Sequence, residues 1–263
     1  MNKYLNYKAV LLAHCLSFGA VGVLAADAKC MEEVGISSQM HHRIFDARVY
    51  PLQGKETIKQ ADCIVFHLEF DDVDVLQLMQ RPLFDLDLAG EPVSLDKLGK
   101  LTHFASQIHG LNLMETYLED SLFTYIERFV CLESLILSDN PFGDKAMPSI
   151  GRLRDLRHLE IVHTKITDSG LESLLPLKKL ERLDVGCNLL KNSGIGIISQ
   201  IVSISDLDVR GCEFDEKALP FFLNMPNLKK LNISENKIKK EEELEAFLIK
   251  ARAMGIEVNV GEI

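Results

Sequence analysis

Within six residues the chain carries His158, Glu160 and His163, two imidazoles and a carboxylate of the types that bind transition metals. A second set of groups recurs at a fixed interval. Glu160, Asp184 and Asp208 are each 24 residues apart, and Arg182 and Arg210 each stand two residues from one of the aspartates. Carboxylates brought side by side can exchange protons with a substrate. Asp139 and His163 share the same 24-residue separation. No Gly-x-Ser-x-Gly, His-Glu-x-x-His, phosphate-loop or Cys-x-x-Cys motif accompanies these residues. What they can do depends on the elements that carry them.

Those elements repeat. Leu132, Leu156, Leu180, Ile204 and Leu228 open successive units of 24 residues. With each opener as position 1, apolar residues return at positions 4 and 6: Leu135 and Leu137, Leu159 and Ile161, Leu183 and Val185, Leu207 and Val209, Leu231 and Ile233. This alternation predicts a short strand with alternate residues inward. Positions 16, 19 and 22 are apolar as well (Met147, Ile150 and Leu153 in one unit), which predicts a short helix with one buried face. Position 15 is Ala146, Gly170, Gly194 or Ala218, small enough to let the helix start pack closely against its neighbour. Position 9 is Asn140, Thr164, Asn188, Cys212 or Asn236. A period of this length means a stacked array with no single closed core.

The pattern L-x-x-L-x-L-x-x-N-x-I resembles the leucine-rich repeat family. Ile166, Asp168, Gly170 and Leu171 resemble its bacterial 24-residue variety. The resemblance implies an α/β solenoid: a right-handed βα superhelix with a curved parallel sheet on the concave face and short helices on the convex face. It also implies that the position 9 side chain bonds the backbone of adjacent turns, where buried N–H and C=O groups need partners.

On such a fold the charged groups line the concave face. Position 5 reads Asp87, Asn112, Ile136, Glu160, Asp184, Asp208 and Asn232; position 3 reads Ser134, His158, Arg182, Asp206 and Lys230. Residues 158 and 160 share a side about 6.5 Å apart, with no further ligand indicated. An open curved sheet excludes little water. No metal, cofactor or catalysis is therefore expected. Asp139, His158, Glu160, His163, Arg182, Asp184, Asp208 and Arg210 are instead expected to meet a protein partner. Like charges adjacent in a sheet destabilise it, so the three acidic residues need a reason. One is compensation by Arg182 and Arg210 on a merely solvated face; the other is an acidic stripe that receives a basic patch. Asn232-Ile233-Ser234 is a glycosylation sequon on this face, where a glycan would obstruct binding, and it leans toward a bacterial source.

Lys3 and Lys8 precede an apolar run from Ala9 to Ala25, with small residues at Ala25 and Ala28, the layout of a cleaved secretory signal. The chain is expected to be exported, periplasmic or secreted, with no membrane insertion after cleavage; the competing reading is a retained anchor. Residues 1–28 are read as the signal, 29–64 as an N-terminal cap, 65–240 as repeats and 241–263 as a C-terminal cap helix and edge strand. Removing residues 1–28 leaves 27 basic against 38 acidic residues. Nucleic acid is excluded as a partner, because phosphate binding rests on clustered cations. Cys30 and Cys63 flank the cap and could form a disulfide there; Cys187 faces outward as a free thiol, and Cys212 belongs to the position 9 series. The expected function is that of a monomeric, non-catalytic interaction module. The alternative is a secreted effector serving as substrate-recognition adaptor in a ubiquitin-ligase-type or other complex, although residues 29–64 resemble no F-box.

Overall fold

The computed structural model describes residues 65–67, 84–90 and 92–261. The expected signal, N-terminal cap and Cys30–Cys63 pair lie outside them. Among the described residues nine strands form one parallel sheet in sequence order: β1 Val65–His67, β2 Phe84–Asp87, β3 Ile108–Asn112, β4 Ser134–Ile136, β5 His158–Glu160, β6 Arg182–Asp184, β7 Asp206–Asp208, β8 Lys230–Asn232 and β9 Glu257–Asn259. Seven α-helices among the described residues alternate with them from β2 onward: α1 Leu95–Leu101, α2 Phe123–Ile126, α3 Met147–Ile150, α4 Asp168–Leu171, α5 Asn192–Ile198, α6 Leu219–Leu223 and α7 Glu241–Ala253. The α/β solenoid is the expected architecture.

From β3 to β8 each residue pairs with the one 24 positions on, as Leu135 with Leu159 and Leu183 with Leu207. The 25-residue spacing before Ile108 appears as a register shift between Phe84 and Asp85. In β1, Phe66 lies opposite Leu86. The repeat pattern, with Val65, Leu68 and Phe70 as positions 1, 4 and 6, predicts Leu68 there. The run Ile64-Val65-Phe66 is apolar without a break and leaves the register open to a two-residue error.

The helices are mostly single turns joined to 3-10 segments, such as Asp144–Ala146 before α3 and Glu172–Leu174 after α4. A spacing of i, i+3 and i+6 is the period of a 3-10 helix, so it keeps Met147, Ile150 and Leu153 on one fully buried line. Ser94 caps α1 as its type predicts, accepting from the Lys97 N–H. At the C-terminal end α7 docks through Phe247, whose ring lies 6.3 Å from that of Phe222.

Two side-chain ladders tie the coils together. Asn140 Nδ2 donates to the Leu113, Leu137 and Ser138 carbonyls, while its Oδ1 accepts from the Thr116 and Leu118 N–H groups. Asn188 repeats the arrangement with Ile161, Val185 and Gly186 as acceptors and Thr164 as donor. Cys212 makes one weak thiol contact, 3.7 Å to the Val185 carbonyl, and burial pushes that thiol up to about 11.

The second ladder explains the small residue at position 15. Asp144 accepts from the Thr167 N–H at 2.9 Å and from the Thr167 and Ser169 hydroxyls at 2.6 Å each; Asp168 does the same for Lys191 N–H and Ser193. Burial alone would raise the Asp144 carboxyl, but these donors hold it below its ordinary value. A Cβ on Gly170 would stand 2.5 Å from Asp144 Oδ1. The glycine makes room for its neighbour's carboxylate.

Replacing Asn188 by Ala leaves several buried backbone groups without partners. Urea unfolding should show a loss of about 2–4 kcal/mol. Asn236→Ala should cost less, because Asn236 donates to three carbonyls but its own amide oxygen receives no donor. Equal losses at both positions would contradict the ladder.

Candidate functional site

Each strand offers positions 3 and 5 to the concave face, and the turn after it offers positions 7 and 8. At position 8 the backbone is left-handed in every regular coil: Glu115, Asp139, His163, Cys187, Gly211 and Glu235 have φ between 52° and 61°. That conformation turns the chain out of the strand and lifts the side chains of Asp139 and His163 above the sheet. His163 Nδ1 and Asp139 Oδ1 are 2.7 Å apart at this rim. Cys187 is exposed there, as its position predicts.

His158 and Glu160 meet below. Their side chains close the distance set by the strand rise, with His158 Nε2 2.9 Å from Glu160 Oε1 and His158 Nδ1 3.5 Å from Ser134 Oγ. The His158 bond holds the Glu160 carboxyl below its ordinary value against the effect of burial. His163 is engaged by Asp139, so the three residues that could suggest a metal centre are split between two pairs, His158 with Glu160 and His163 with Asp139. Arg182 reaches Glu160 at 3.9 Å and Asp206 at 4.0 Å, long contacts on an exposed side chain.

The centre of the face is Asp184, Asp208 and Arg210. Asp184 and Asp208 are paired residues of β6 and β7. Arg210 Nη1 lies 3.3 Å from Asp184 Oδ2 and also bonds Asp208 Oδ2. Asp208 Oδ2 accepts a further bond from Asn232 Nδ2. Asp184 is only 8% exposed. Burial pushes its carboxyl up to about 6, opposed by the Gly186 N–H and reinforced by the charge of Asp208. Burial pulls the Arg210 guanidinium down, yet Asp184 and Asp208 hold it above its ordinary value.

Position 5 carries a second role that residue spacing did not reveal. The side chains of Asp87, Asn112, Asp184, Asp208, Asn232 and Asn259 each accept the backbone N–H two residues on, at 3.0–3.2 Å. This local turn is what short Asp and Asn side chains do best. Glu160 is too long for it, and the Val162 N–H is met by Ser138 Oγ of the preceding coil. The clue in the sequence was the interchange of Asp with Asn down one column. Asn232, the sequon residue, has both ends of its amide committed, to Asp208 and to Ser234.

A shallow groove of about 290 Å³ runs over the C-terminal strands, lined by Arg182, Asp206, Asp208, Lys230, Asn232 and Asn259. It shares Arg182 and Asp208 with the expected surface but lies C-terminal to Asp139, His158, Glu160 and His163. Position 3 across it alternates in charge: Arg182, Asp206, Lys230, Glu257.

Comparison with known proteins agrees with this architecture. The Leucine Rich repeat family matches residues 130–151, 152–175 and 224–241. No curated protein sequence matches the chain. Among solved structures, an internalin (inlF) from Listeria monocytogenes superposes with a TM-score of 0.56 at 19% identity, over 73% of this chain and 51% of that one. An internalin C2 (inlC2) from the same organism gives 0.57 at 16% identity, over 77% and 81%. The chain thus spans about half the length of the first of these structures. Among the described residues no helix is long and apolar enough to cross a membrane.

The turn-forming role of position 5 can be measured away from the charged centre. Asn112→Ala removes the acceptor for the Met114 N–H and should lower stability by about 1 kcal/mol in urea unfolding. Asn112→Ser should recover part of that loss; no difference between the two variants would reject the role.

Proposed function

We propose that this chain, a leucine-rich repeat protein, is an exported, monomeric, non-catalytic module that holds a basic segment of a protein partner on its concave face. The repeat fold itself suggests protein–protein interaction. The observation that supports the finer reading is the run of three carboxylates paired across neighbouring strands, Glu160, Asp184 and Asp208, along the concave side of the sheet with Arg210 bonded to two of them. Glu160 and Asp208 are partly exposed on this open face, with the more covered Asp184 between them. Electrostatic complementarity of this kind sets partner choice and association rate. Asp139 and His163 at the rim, and His158, Arg182 and Arg210 beside the stripe, complete the expected contact surface. Export rests on Lys3, Lys8 and the apolar run Ala9–Ala25, and a bacterial source on the Ile166–Leu171 motif and the likeness in fold to the internalins. A periplasmic or secreted destination follows from the same features.

The double variant Glu160→Gln/Asp184→Asn removes two charges while keeping side chains that can accept the same hydrogen bonds. We expect a crosslinked pull-down above pH 7 to retain a basic partner with the wild type and at least about tenfold less with the variant. Capture should weaken for the wild type as salt rises. Equal capture by a folded variant would place binding on another surface.

A further inference from the structure

Asp184 has more anions than cations around it. From β5 it is faced by Glu160, itself bonded to His158. On its own strand and turn lie Arg182, directed at Glu160 and Asp206, and Cys187. From β7 come Asp206, Asp208 and Arg210. Among the described residues, Arg210 is the one cation in salt-bridge contact with Asp184, and the same Nη1 atom also serves Asp208. Two carboxylates on paired residues of adjacent strands therefore share one positive charge. The Asp184 side chain is only 12% exposed. A buried pair left with a net negative charge lowers its energy by binding a proton, as paired carboxylates do when they cannot both ionise.

We propose that Asp184, Asp208 and Arg210 form a proton switch: on mild acidification the two carboxylates take up one proton, held on Asp184 Oδ2, and Arg210 is left to Asp208 alone. Oδ2 is the site because Oδ1 is committed to the Gly186 N–H at 3.0 Å. The proton comes from solvent, and no other bond is made or broken except the contact from Arg210 Nη1. The switch sets the charge at the centre of the concave face. It is a property of the free chain and goes beyond the binding role proposed above, so it stands or falls without a partner.

The position of Asp184 agrees with this arrangement, since burial and the neighbouring Asp208 push it up to about 6. Because that value lies above the ordinary 3.8, the folded chain binds the proton more readily than the unfolded chain. The ionised group therefore lowers stability above the folded value, and the cost is relieved as pH falls toward the ordinary one. Glu160 and Asp144 act in the opposite sense at lower pH. Their depressed values give stability that is lost only below their ordinary 4.5 and 3.8. The two windows overlap only between 4.5 and 3.8, below the range from pH 7 to pH 5 in which Asp184 acts alone among these three.

The test is a carbon-13 NMR titration of the aspartate carboxyl carbons in the full chain, compared among wild type, Asp184→Asn and Asp208→Asn. Asp184→Asn keeps an acceptor for the Gly186 N–H and copies the amides found at Asn112 and Asn232 in the same column. The wild type should show one aspartate titrating at about 6 that disappears in Asp184→Asn. Its midpoint should fall in Asp208→Asn. Thermal unfolding of the wild type should rise by several degrees between pH 7 and pH 5 relative to Asp184→Asn. Absence of an aspartate titrating above the ordinary range, or a midpoint indifferent to Asp208→Asn, would overturn the switch.

Discussion

An open solenoid must satisfy the backbone polar groups that its turns bury, and each coil has only its neighbours to do it with. A closed sheet or a long helix pairs its own N–H and C=O groups; a three-residue strand followed by a tight turn cannot. The chain solves this with side chains that reach 22 to 27 residues along the sequence, from Asn140 to Leu113 and Leu118 and from Thr167 to Asp144. Unpaired buried groups of this kind cost about 1–3 kcal/mol each. The spacing of the repeat is fixed by these bonds as much as by the leucines. An added or missing residue would carry every acceptor of one coil past its donor in the next.

This constraint sorts the concave face into two kinds of residue. At position 3 the side-chain contacts run along the face, His158 to Glu160 and Arg182 to Asp206, and not into the turns. Asp184 and Asp208 have two roles at once, holding the N–H groups of Gly186 and Arg210 and presenting charge to the face. Arg210 joins the roles: its own N–H is held by Asp208, and its guanidinium returns to both carboxylates. Site and scaffold are made of the same bonds here.

The repeat was legible because period and hydrophobicity act together over many copies. Five openers at one interval leave no freedom in register, and the paired columns of β3 to β8 are those that counting predicts. At Ile64-Val65-Phe66 there is no alternation to count, and the strand pairs two residues away from the expected register. For the site, sequence spacing brought Asp184 beside Asp208 and Asp139 beside His163, because those contacts follow the period. It did not join His158 to Glu160, since that contact depends on side-chain reach within one strand. Nor did it reveal the turns made by position 5, whose signal is a hydrogen-bonding property shared by Asp and Asn and blind to charge. The acidity of the column was visible while half of its cause was not.

That shared property sharpens the case for the charge itself. If the turn were the whole demand, Asn would meet it at Asp184, as it does at Asn112, Asn232 and Asn259 in the same column. An amide there would carry no desolvation cost of ionisation and no repulsion from Asp208. The carboxylate instead sits largely buried, shares with Asp208 the one cation that salt-bridges it among the described residues, and is displaced upward to about 6. Burying an ion without full compensation lowers stability, and sites that keep such a cost are where function and folding pull in different directions. The backbone explains why position 5 is Asp or Asn; it does not explain why residues 184 and 208 are both Asp. The surplus charge is the part of the column that the turns leave unexplained.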